Sequence, residues 1–467
     1  MITFETDAIA FAYLLSGVFF ILGLNRLSRP ETARWGNYFA IAGMSIAVVT
    51  TLLNPSVQSY GFIIAGVAVG GVIGVFIARK IKMTSIPQLV AALHSFVGMA
   101  AVLIALGIYI SKAKNGIPST LMMTELFLGS VIGAVTFTGS MIAFAKLQAL
   151  IGSKAIIFKG QHGLNLALGL VIVLLGVDFI LNQHLFSLLM LITVAFVLGV
   201  MLILPIGGPD MPVIISMLNS YSGWAAAATG FTLGNNLLIL TGALVGFSGA
   251  ILSYIMCRAM NRTLFNVVLG GFGGQSDAAE VSAHGSAAEK GIKTASVDDA
   301  VFLMENASKV IIVPGYGMAV AQAQQAINKL FSHLDSCDVD VKFAIHPVAG
   351  RMPGHMNVLL AEADIPYDSV IEMEEINSEF SSTDVVLVVG ANDVTNPAAK
   401  NDTSSPIYGM PILEIQDAKH TFFIKRGMSP GYAGVDNELF YRDNCSLIFG
   451  DAREVCQLMI SELAEAA

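Results

Sequence analysis

The sequence predicts two different structures in one chain: a polytopic α-helical membrane bundle, then a Rossmann-like α/β domain with a parallel, doubly wound sheet. Of the 467 residues, 55% are hydrophobic and only 13% are charged, whereas soluble domains carry about 25% charged residues. Apolar stretches fill residues 7–256, and short β-branched runs alternate with helix-like segments from residue 309. We predict a membrane domain at residues 1–262, a flexible Gly-, Ser- and Ala-rich linker at 263–296, and a soluble domain at 297–467.

The membrane domain contains nine stretches of suitable length to span a bilayer, since a hydrocarbon core of about 30 Å needs roughly 17 to 25 residues of helix. The predicted spans are Ala8–Leu24, Gly36–Leu53, Tyr60–Ala78, Ile86–Ile110, Leu121–Ala145, Leu164–Leu181, Leu185–Ile206, Met211–Phe231 and Leu237–Met256. The eighth is rich in Ser, Asn and Gly and is the least certain of them. Glu5 and Asp7 precede the first span and no basic residue does, so we expect that span to be retained rather than removed as a signal peptide.

Basic residues follow the first, third, fifth and ninth spans, and this pattern predicts the orientation. They are Arg26, Arg29, Arg34, Arg79, Lys80, Lys82, Lys146, Lys154, Lys159, Arg258 and Arg262. Lys112 and Lys114, after the fourth span, are a local exception. Because Lys and Arg accumulate in cytoplasmic loops, we predict a periplasmic N-terminus and a cytoplasmic C-terminal domain.

Charge and cysteine content exclude other classes of function. The net charge of -9 and a pI near 5.4 argue against a nucleic-acid partner. The cysteines show no metal-ligand spacing, so we expect reduced, idle thiols and no metal site. They are Cys257, Cys337, Cys445 and Cys456.

Strongly polar side chains are few in the predicted spans, and each is a functional candidate. His94 and Asn219 lie about 12 and 13 Å from the cytoplasmic ends of their spans and so reach the same depth. Histidine titrates near neutral pH, which suits a proton pathway. Ser140 can reach the same layer, while Asp210 and Glu125 lie near span ends. The alternatives are a structural histidine, helix packing by Ser140 and Asn219, and interfacial placement of the two carboxylates.

The soluble domain is predicted from alternating strands and helices, the pattern of a parallel doubly wound sheet. A helix is predicted at Met318–Phe331. The predicted strands are Val310–Val313, Val339–Ile345, Val385–Val389, Ile412–Ile415, Phe422–Ile424 and Leu447–Phe449.

A glycine motif follows the first of these strands. Gly315 permits a tight turn, Gly317 lets a pyrophosphate approach the backbone, and the following helix N-terminus favours negative charge. The third position of this dinucleotide fingerprint is Val320 rather than glycine. An ordinary strand–turn–helix is therefore the alternative.

Two further segments bear on nucleotide choice. The second strand ends in Ile345-His346-Pro347, without the acidic residue that usually binds the ribose of NAD, and this favours NADP. Lys425 and Arg426 could supply cations for a 2′-phosphate. A solvated strand end is the alternative for this pair.

Several longer segments resemble the proton-translocating NAD(P) transhydrogenase family. Those similar to its NADP(H)-binding domain are Gly315–Gln322, His346–Asn357, Gly390–Asp393 and Lys425–Arg426 through Gly431–Gly434. The segment from Asp210–Val213 through Leu218–Gly223 resembles its membrane domain. The resemblance covers essentially the whole chain, matches the length of the bacterial beta subunit, and accounts for Val320, because the family's fingerprint ends this way.

The resemblance implies an NADP(H) site across the C-terminal edge of the sheet. Tyr316 would flank the nicotinamide, Lys425 and Arg426 would hold the 2′-phosphate, and Gly427–Tyr432 would fold over the nucleotide as a lid. The implied binding residues are Gly315, Tyr316, Gly317, Val320, Val348, Ala349, Gly350, Arg351, Met352, Pro353, Gly390, Ala391, Asn392, Asp393, Val394, Lys425, Arg426, Gly427, Met428, Ser429, Pro430, Gly431, Tyr432, Asp451 and Ala452. It also supports His94, Asn219 and Asp210 in proton transfer or its coupling.

The same resemblance implies the partners and the location. A single dinucleotide fingerprint is convincing, so NAD(H) must bind elsewhere, and the family assigns it to an alpha subunit, with two copies of each subunit. The chain would lie in the bacterial inner membrane and couple hydride transfer between NADH and NADP⁺ to proton translocation. The rival interpretations are a channel or transporter gated by a nucleotide-sensing domain, which a missing TVGYG-type filter disfavours, and a membrane-anchored reductase that pumps nothing.

Overall fold

The computed structural model describes residues 2–27, 32–54, 57, 59–113, 119–152, 155–207, 210–269, 291–352, 354–431 and 433–466. The structure divides into two compact units. The first comprises Met1–Gly152, Ile157–Leu204 and Ile215–Ile251. The second comprises Ser153–Ile156, Pro205–Ile214 and Leu252–Ala467. Most of the predicted linker, Arg29, Lys114 and Lys154 lie outside the described residues. The domain boundaries proposed from the sequence therefore stay predictions.

Long helices make up the first unit, as predicted. They are α1 Ile2–Leu27, α2 Ala33–Leu52, α3 Tyr60–Lys80, α4 Ile86–Ala113, α5 Thr120–Leu147, α6 Gln161–Asn182, α7 Leu185–Ile203, α8 Met211–Leu233 and α9 Asn236–Ala259. Among the described residues, eight helices are long and apolar enough to cross a membrane. The helix outside that set is α8, which has the expected length but carries Ser216, Asn219, Ser220 and Ser222 among its apolar residues. The predicted count of nine is therefore approximate, while the fold class is confirmed.

Glycine allows the closest helix approaches in the membrane unit. A Cβ on Gly98 of α4 would lie 2.5 Å from the Gly133 carbonyl oxygen of α5. A Cβ on Gly242 of α9 would lie 2.4 Å from the backbone nitrogen of Ala227 in α8. Small residues at such crossings let helix backbones meet where there is no water to drive association. Helix α3 has no buried residue within this chain.

The second unit contains a six-stranded parallel sheet in the order β3-β2-β1-β4-β5-β6. The strands are β1 Lys309–Pro314, β2 Asp340–Ile345, β3 Val370–Glu372, β4 Val385–Val389, β5 His420–Lys425 and β6 Cys445–Phe449. Central strands are buried on both faces: Val310 and Ile312 belong to one core, and Ile311 and Val313 to the other. This burial explains why the strands are continuous β-branched runs.

Two details of the sheet differ from the sequence prediction. The strand predicted at Ile412–Ile415 is wrong, because this segment pairs with side chains and loops instead of a strand. Asn377 Nδ2 donates to the Ile412 carbonyl at 3.0 Å, and Asn377 Oδ1 accepts from the Glu414 amide at 3.2 Å. The segment is apolar because Leu413 and Ile415 pack into the core. Strand β3 was not predicted, since an edge strand of 3 residues has little pattern to detect.

The helices beside the sheet are α11 Val297–Glu305, α12 Tyr316–Ala321, α13 Gln324–Ser336, α14 His355–Glu362, α15 Met373–Ile376, α16 Ala398–Asn401 and α17 Ala452–Ala466, and α10 Leu264–Leu269 follows the last long helix. The single helix predicted at Met318–Phe331 is wrong. It is divided between α12 and α13 because Gln322 adopts a left-handed conformation with φ of 53°. The first turn after β1 is thereby separated from the longer helix α13.

Candidate functional site

The sheet reverses its winding direction between β1 and β4, and the carboxyl ends of these strands meet there. The Gly315 amide donates to the Val389 carbonyl and the Gly317 amide to the Gly390 carbonyl, each at 2.9 Å. A Cβ on Gly315 would lie 2.4 Å from the Gly390 oxygen, and one on Gly317 would lie 2.6 Å from the Gly390 Cα. Gly390 itself has φ of +70°. Only glycine permits this approach of two backbones, and it leaves a crevice where doubly wound folds bind ligands.

Two histidines hold the loop after β2. His346 is buried; its Nε2 lies 2.8 Å from the Pro411 carbonyl, and its Nδ1 accepts from the Val348 amide at 3.2 Å. His355 Nδ1 accepts from the Arg351 amide at 3.1 Å. Burial lowers the pKa of His346 to about 4, and burial together with the Arg351 charge lowers the pKa of His355 to about 4. Both rings are therefore neutral at physiological pH and serve as hydrogen-bonding anchors.

The loop also brings an aromatic ring and a cation together. The Arg351 guanidinium carbon lies 4.4 Å from the centroid of the Tyr316 ring. The His355 ring centroid is 6.3 Å from that of Tyr316. Tyr316 is thereby held between two groups at the start of α12, where the resemblance places the nicotinamide end.

The segment after β5 folds back onto the loop after β4. The Ala433 amide donates to Asp393 Oδ2 at 2.9 Å, and a Cβ on Gly431 would lie 2.2 Å from Asp393 Oδ1. Asn392 Oδ1 accepts from Asn437 Nδ2 at 3.0 Å. These contacts fix the C-terminal end of the predicted lid against the crevice.

The predicted phosphate cations differ in their partners. Lys425 Nζ donates to the Ser429 carbonyl at 3.3 Å and lies 4.1 Å from the Phe440 ring centroid. Burial lowers the pKa of Lys425 to about 8, against the opposing charges of Asp436 and Asp393. Arg426 instead forms an ion pair with Asp451 Oδ2, at 2.7 Å from Nη2 and 3.1 Å from Nε.

The structure gathers most of the predicted binding residues around one cleft at this edge of the sheet. The predicted residues that line it are Gly315, Tyr316, Gly317, Val348, Ala349, Gly350, Arg351, Gly390, Ala391, Asn392, Asp393, Val394, Pro430 and Gly431. The other described candidates do not line this cleft: Val320, Met352, Lys425, Arg426, Gly427, Met428, Ser429, Asp451 and Ala452. Pro353 and Tyr432 lie outside the described residues.

Sequence reasoning missed buried asparagines that shape the cleft. Asn396 Nδ2 donates to the Asp436 carbonyl at 3.0 Å, and its Oδ1 accepts from the Ala398 amide at 3.0 Å. Asn437 joins Asn392 and caps a short helical turn through the Leu439 amide at 3.1 Å. Asparagine beside proline in Thr395-Asn396-Pro397 was the available signal, since such residues initiate turns.

In the membrane unit, the structure places His94 against α8. His94 Nδ1 lies 3.0 Å from Ser222 Oγ, and Ser222 Oγ also donates to the Asn219 carbonyl at 2.8 Å. With the hydroxyl hydrogen directed to Asn219, His94 Nδ1 carries a proton and Nε2 is the basic nitrogen. Asn219 is therefore joined to His94 through Ser222, a residue that sequence reasoning did not single out.

Among the described residues, none of the other predicted membrane residues is hydrogen-bonded to His94. Ser140 is fully buried in α5, and its Oγ has no hydrogen-bond partner in the described part of the protein. Asp210 accepts from Arg262 Nη1 at 3.0 Å through both oxygens. Glu125 is half-buried in α5.

Two charged side chains of the membrane unit were not anticipated as interacting groups. Lys146 was used only to predict orientation, yet it is buried and its Nζ donates to the Leu204 carbonyl at 2.5 Å. Asp178 of α6 accepts from Asn182 Nδ2 at 2.7 Å and from the Ser187 hydroxyl. A carboxylate within an apolar span is the signal that would have identified Asp178, whereas Lys146 directly follows the predicted fifth span.

The cleft residues fit a dinucleotide. The glycine approach at Gly315, Gly317 and Gly390 leaves backbone without side chains at the crevice. Asn392 Nδ2 is a buried donor with no hydrogen-bond partner among the described residues. Lys425, which does not line the cleft, is a cation held by a carbonyl and a ring. No group of three or more metal-ligating side chains occurs in the described ranges.

Comparison with known proteins gives a consistent family. The family model for the NAD(P) transhydrogenase beta subunit matches residues 9–462. A relative named NAD(P) transhydrogenase subunit beta, from Rhodospirillum rubrum, is 57% identical over 457 residues, which are 97% of this chain and 98% of the relative. A second relative of the same name, from a named strain of that species, matches with the same identity and coverage.

These matches span both the long apolar helices and the parallel sheet. They argue against a nucleotide-gated channel and agree with a multi-pass protein of the inner membrane. The family name involves NAD(H) and NADP(H), and a beta subunit implies an alpha-subunit partner. The chain belongs to the NAD(P) transhydrogenase beta subunit family.

Proposed function

We propose that this chain binds NADP(H) at the carboxyl edge of its sheet, while the alpha subunit binds NAD(H), and that hydride passes directly between the two nucleotides. The observation that carries this proposal is the close approach of Gly390 to Gly315 and Gly317 where β1 and β4 end. A pyrophosphate can approach such a backbone. The nicotinamide supplies the hydride chemistry, and the protein supplies alignment.

Preference for NADP(H) is supported by charge. Lys425 ends β5 and Arg426 follows it, at the carboxyl edge of the sheet, and no acidic residue ends β2 at Ile345-His346-Pro347. Lys425 has no ion-pair partner among the described residues, so its charge is available to a phosphate dianion. Arg426 would exchange Asp451 for that phosphate, and Gly427 to Tyr432 would close over the nucleotide.

We also propose that hydride transfer is coupled to proton translocation through the layer of His94, Ser222, Asn219 and Ser140. The support is a half-buried histidine whose Nδ1 bonds a second helix and whose buried Nε2 has no hydrogen-bond partner among the described residues. One charge crossing 100 mV releases about 2.3 kcal/mol, which moves an equilibrium by between one and two powers of ten. The coupling must act by changing the relative affinity for NADP⁺ and NADPH.

Topology and assembly complete the proposal. The distribution of basic residues supports a periplasmic N-terminus and a cytoplasmic sheet domain. The assembly would contain two alpha–beta pairs. The ion pair of Asp210 with Arg262 and the carboxylate of Glu125 are secondary candidates in the proton path.

Two measurements test the division of labour. The purified chain is expected to bind NADPH but to give no NADH-to-NADP⁺ turnover until an alpha subunit is added. Robust turnover by this chain alone would contradict the two-subunit proposal.

Coupling is tested in sealed vesicles that contain both subunits. Hydride transfer from NADH to NADP⁺ should respond to a protonophore, and NADP(H) turnover should acidify or alkalinise the lumen. Turnover that is indifferent to the protonophore and moves no protons would favour the membrane-anchored reductase.

A further inference from the structure

One face of α6 is apolar towards the end of the helix and polar towards its start. From Ile172 through Gly176 to Phe179 this face is apolar and buried. The same face carries Gln161 and Asn165 nearer the start of the helix. Gln161 is only 2% exposed, and neither its Oε1 nor its Nε2 has a hydrogen-bond partner in the described part of the chain; Asn165 Oδ1 is likewise buried and unbonded.

Helix contacts place Asn165 at the depth of His94. Tyr109 of α4 contacts the end of α6, with its ring centroid 5.5 Å from that of Phe179 and its hydroxyl 2.5 Å from the Gln183 carbonyl. The two helices therefore run in the same direction. His94 lies about 22 Å before Tyr109, and Asn165 lies about 21 Å before Phe179.

Helix α5 gives an independent measure of the same depth. A Cβ on Gly176 of α6 would meet the Phe127 ring of α5 at 2.3 Å, and α5 runs in the opposite direction. Ser140 lies about 20 Å from Phe127, while Asn165 and Gln161 lie about 17 and 23 Å from Gly176. Ser140 thus falls between the two amides in depth. Gln88 of α4, which bonds the Leu147 carbonyl at 3.4 Å, marks the end of the bundle nearer Gln161.

Unbonded polar atoms on three helices therefore lie within one range of depth in the bundle. They are Gln88 Oε1, His94 Nε2, Ser140 Oγ, Gln161 Oε1 and Nε2, and Asn165 Oδ1. An unsatisfied buried polar group costs about 1–3 kcal/mol. Because Gln161 is enclosed within this chain, neither lipid nor a partner subunit can reach it to supply the missing hydrogen bonds. Water is small enough, and each water needs two to four polar partners.

We propose that Gln161 and Asn165 are positioning residues of the proton path: they hold a chain of buried water that joins His94 Nε2 to the end of the bundle marked by Gln88. This deepens the proposed coupling and rests on it. The amides do not titrate. They orient water, so that a proton can pass between the aqueous end and the His94 ring.

The test uses vesicles containing the full chain and the alpha subunit. Gln161→Leu and Asn165→Leu keep similar volume but remove the water partners. Proton uptake and protonophore-sensitive hydride transfer should fall by roughly tenfold to a hundredfold, with NADPH affinity unchanged. Gln161→Glu, which keeps polar oxygens at that place, should restore most of the activity. The matched control is Thr193→Val on α7, whose hydroxyl is exposed and bonded to the Leu189 carbonyl at 2.9 Å; it should pump normally.

A second readout separates water access from simple helix packing. Deuterium exchange at the carbon-bound ring hydrogen of His94, measured by mass spectrometry, should slow several-fold in both leucine variants and not in Thr193→Val. Pumping within about twofold of the control in either variant, or lost pumping with unchanged exchange at His94, would overturn the proposal. If the variants do not insert into the membrane, the same exchange rates are compared within the wild-type protein. The reference is His346, whose two ring nitrogens both have protein partners. Exchange at His94 that is no faster than exchange at His346 would also overturn the proposal. The pumping rate of His94→Ala distinguishes the two proposals. If only the role of Gln161 and Asn165 is wrong, His94→Ala still does not pump. If the proposed proton coupling through His94 is wrong, His94→Ala pumps normally.

Discussion

The sheet domain and the membrane bundle treat buried polar groups differently. His346, in the sheet domain, has protein partners for both ring nitrogens, and Asn396 uses its amide oxygen and its amide nitrogen. In the bundle, His94 bonds through one nitrogen and Gln161 through neither polar atom. His346 and Asn396, which fix loops beside the cleft, are fully bonded, whereas the groups proposed to pass protons keep open positions.

The cleft shows both strategies together. His355 Nδ1 holds the Arg351 amide, while His355 Nε2 and Asn392 Nδ2 have no hydrogen-bond partner among the described residues. A ligand at the open edge of a sheet can satisfy such atoms, but within the bundle only water or a proton can. The comparison teaches that unbonded polar atoms occur in both regions, and that enclosure determines what could bind them.

The strongest test of this contrast removes the membrane histidine. His94→Ala should abolish proton pumping and slow reverse transhydrogenation by at least about a hundredfold, because the binding change cannot be completed without the protonation step. The isolated soluble domain should keep its NADPH affinity. The matched control is His184→Ala, because the His184 side chain is exposed. Its Nδ1 lies 3.6 Å from Asp178 Oδ2. A correctly inserted His94→Ala that pumps at a near wild-type rate would make His94 structural and pass its role to Glu125 or Asp210.

The second test disrupts the close backbone approach of Gly390 to Gly317 in the crevice. Gly390→Ala would place a Cβ 2.4 Å from the Gly317 Cα in a residue with φ of +70°. Stability should fall by about 2–4 kcal/mol, and NADPH affinity by at least roughly thirtyfold, as measured by denaturant unfolding and by titration.

The control separates strain from contact. Gly354 has φ of +68° but no atom within 4 Å of an added Cβ. Gly354→Ala should therefore lose only about 1 kcal/mol. Equal losses in the two variants would mean that backbone conformation alone requires Gly390.

The preference for NADPH over NADH tests the proposed role of Arg426 at the phosphate site. Arg426→Ala removes a cation from the proposed phosphate site and removes the ion-pair partner of Asp451. Charge-assisted hydrogen bonds contribute roughly 1.5–3 kcal/mol, so NADPH affinity should fall by about one to two powers of ten, with little change for NADH. Arg453→Ala, an exposed neighbour on α17, is the control. Equal losses for both nucleotides would assign Arg426 to the fold instead.

The smallest expected effect is a pH dependence. The pKa of Lys425 is lowered to about 8, and a bound phosphate dianion should raise it again. NADPH affinity should therefore be constant between about pH 7 and pH 8, where the phosphate is a dianion, and fall above pH 8 by up to about tenfold per pH unit. Lys425→Arg stays charged and should bind equally at pH 7 and pH 9. A wild-type affinity that is flat across this range would show that Lys425 does not contact the phosphate.

Sequence alone was sufficient for the features that depend on local pattern. Apolar length predicted the spans, β-branched runs predicted most strands, and the glycine spacing after β1 predicted the crevice. Such features depend on residues that are near one another along the chain. The long motifs also led to the correct family, now confirmed.

The tertiary structure decided which distant residues meet. Asn219 and His94 were predicted to share a depth, but the bonded partner is Ser222, because helix rotation selects the contacting face. Ile412–Ile415 has the composition of a strand, yet Asn377 takes its hydrogen bonds. Gln161 and Asn165 look like ordinary helix-start polar residues in the sequence. Their enclosure by neighbouring helices follows from packing over long separations, which no local pattern encodes.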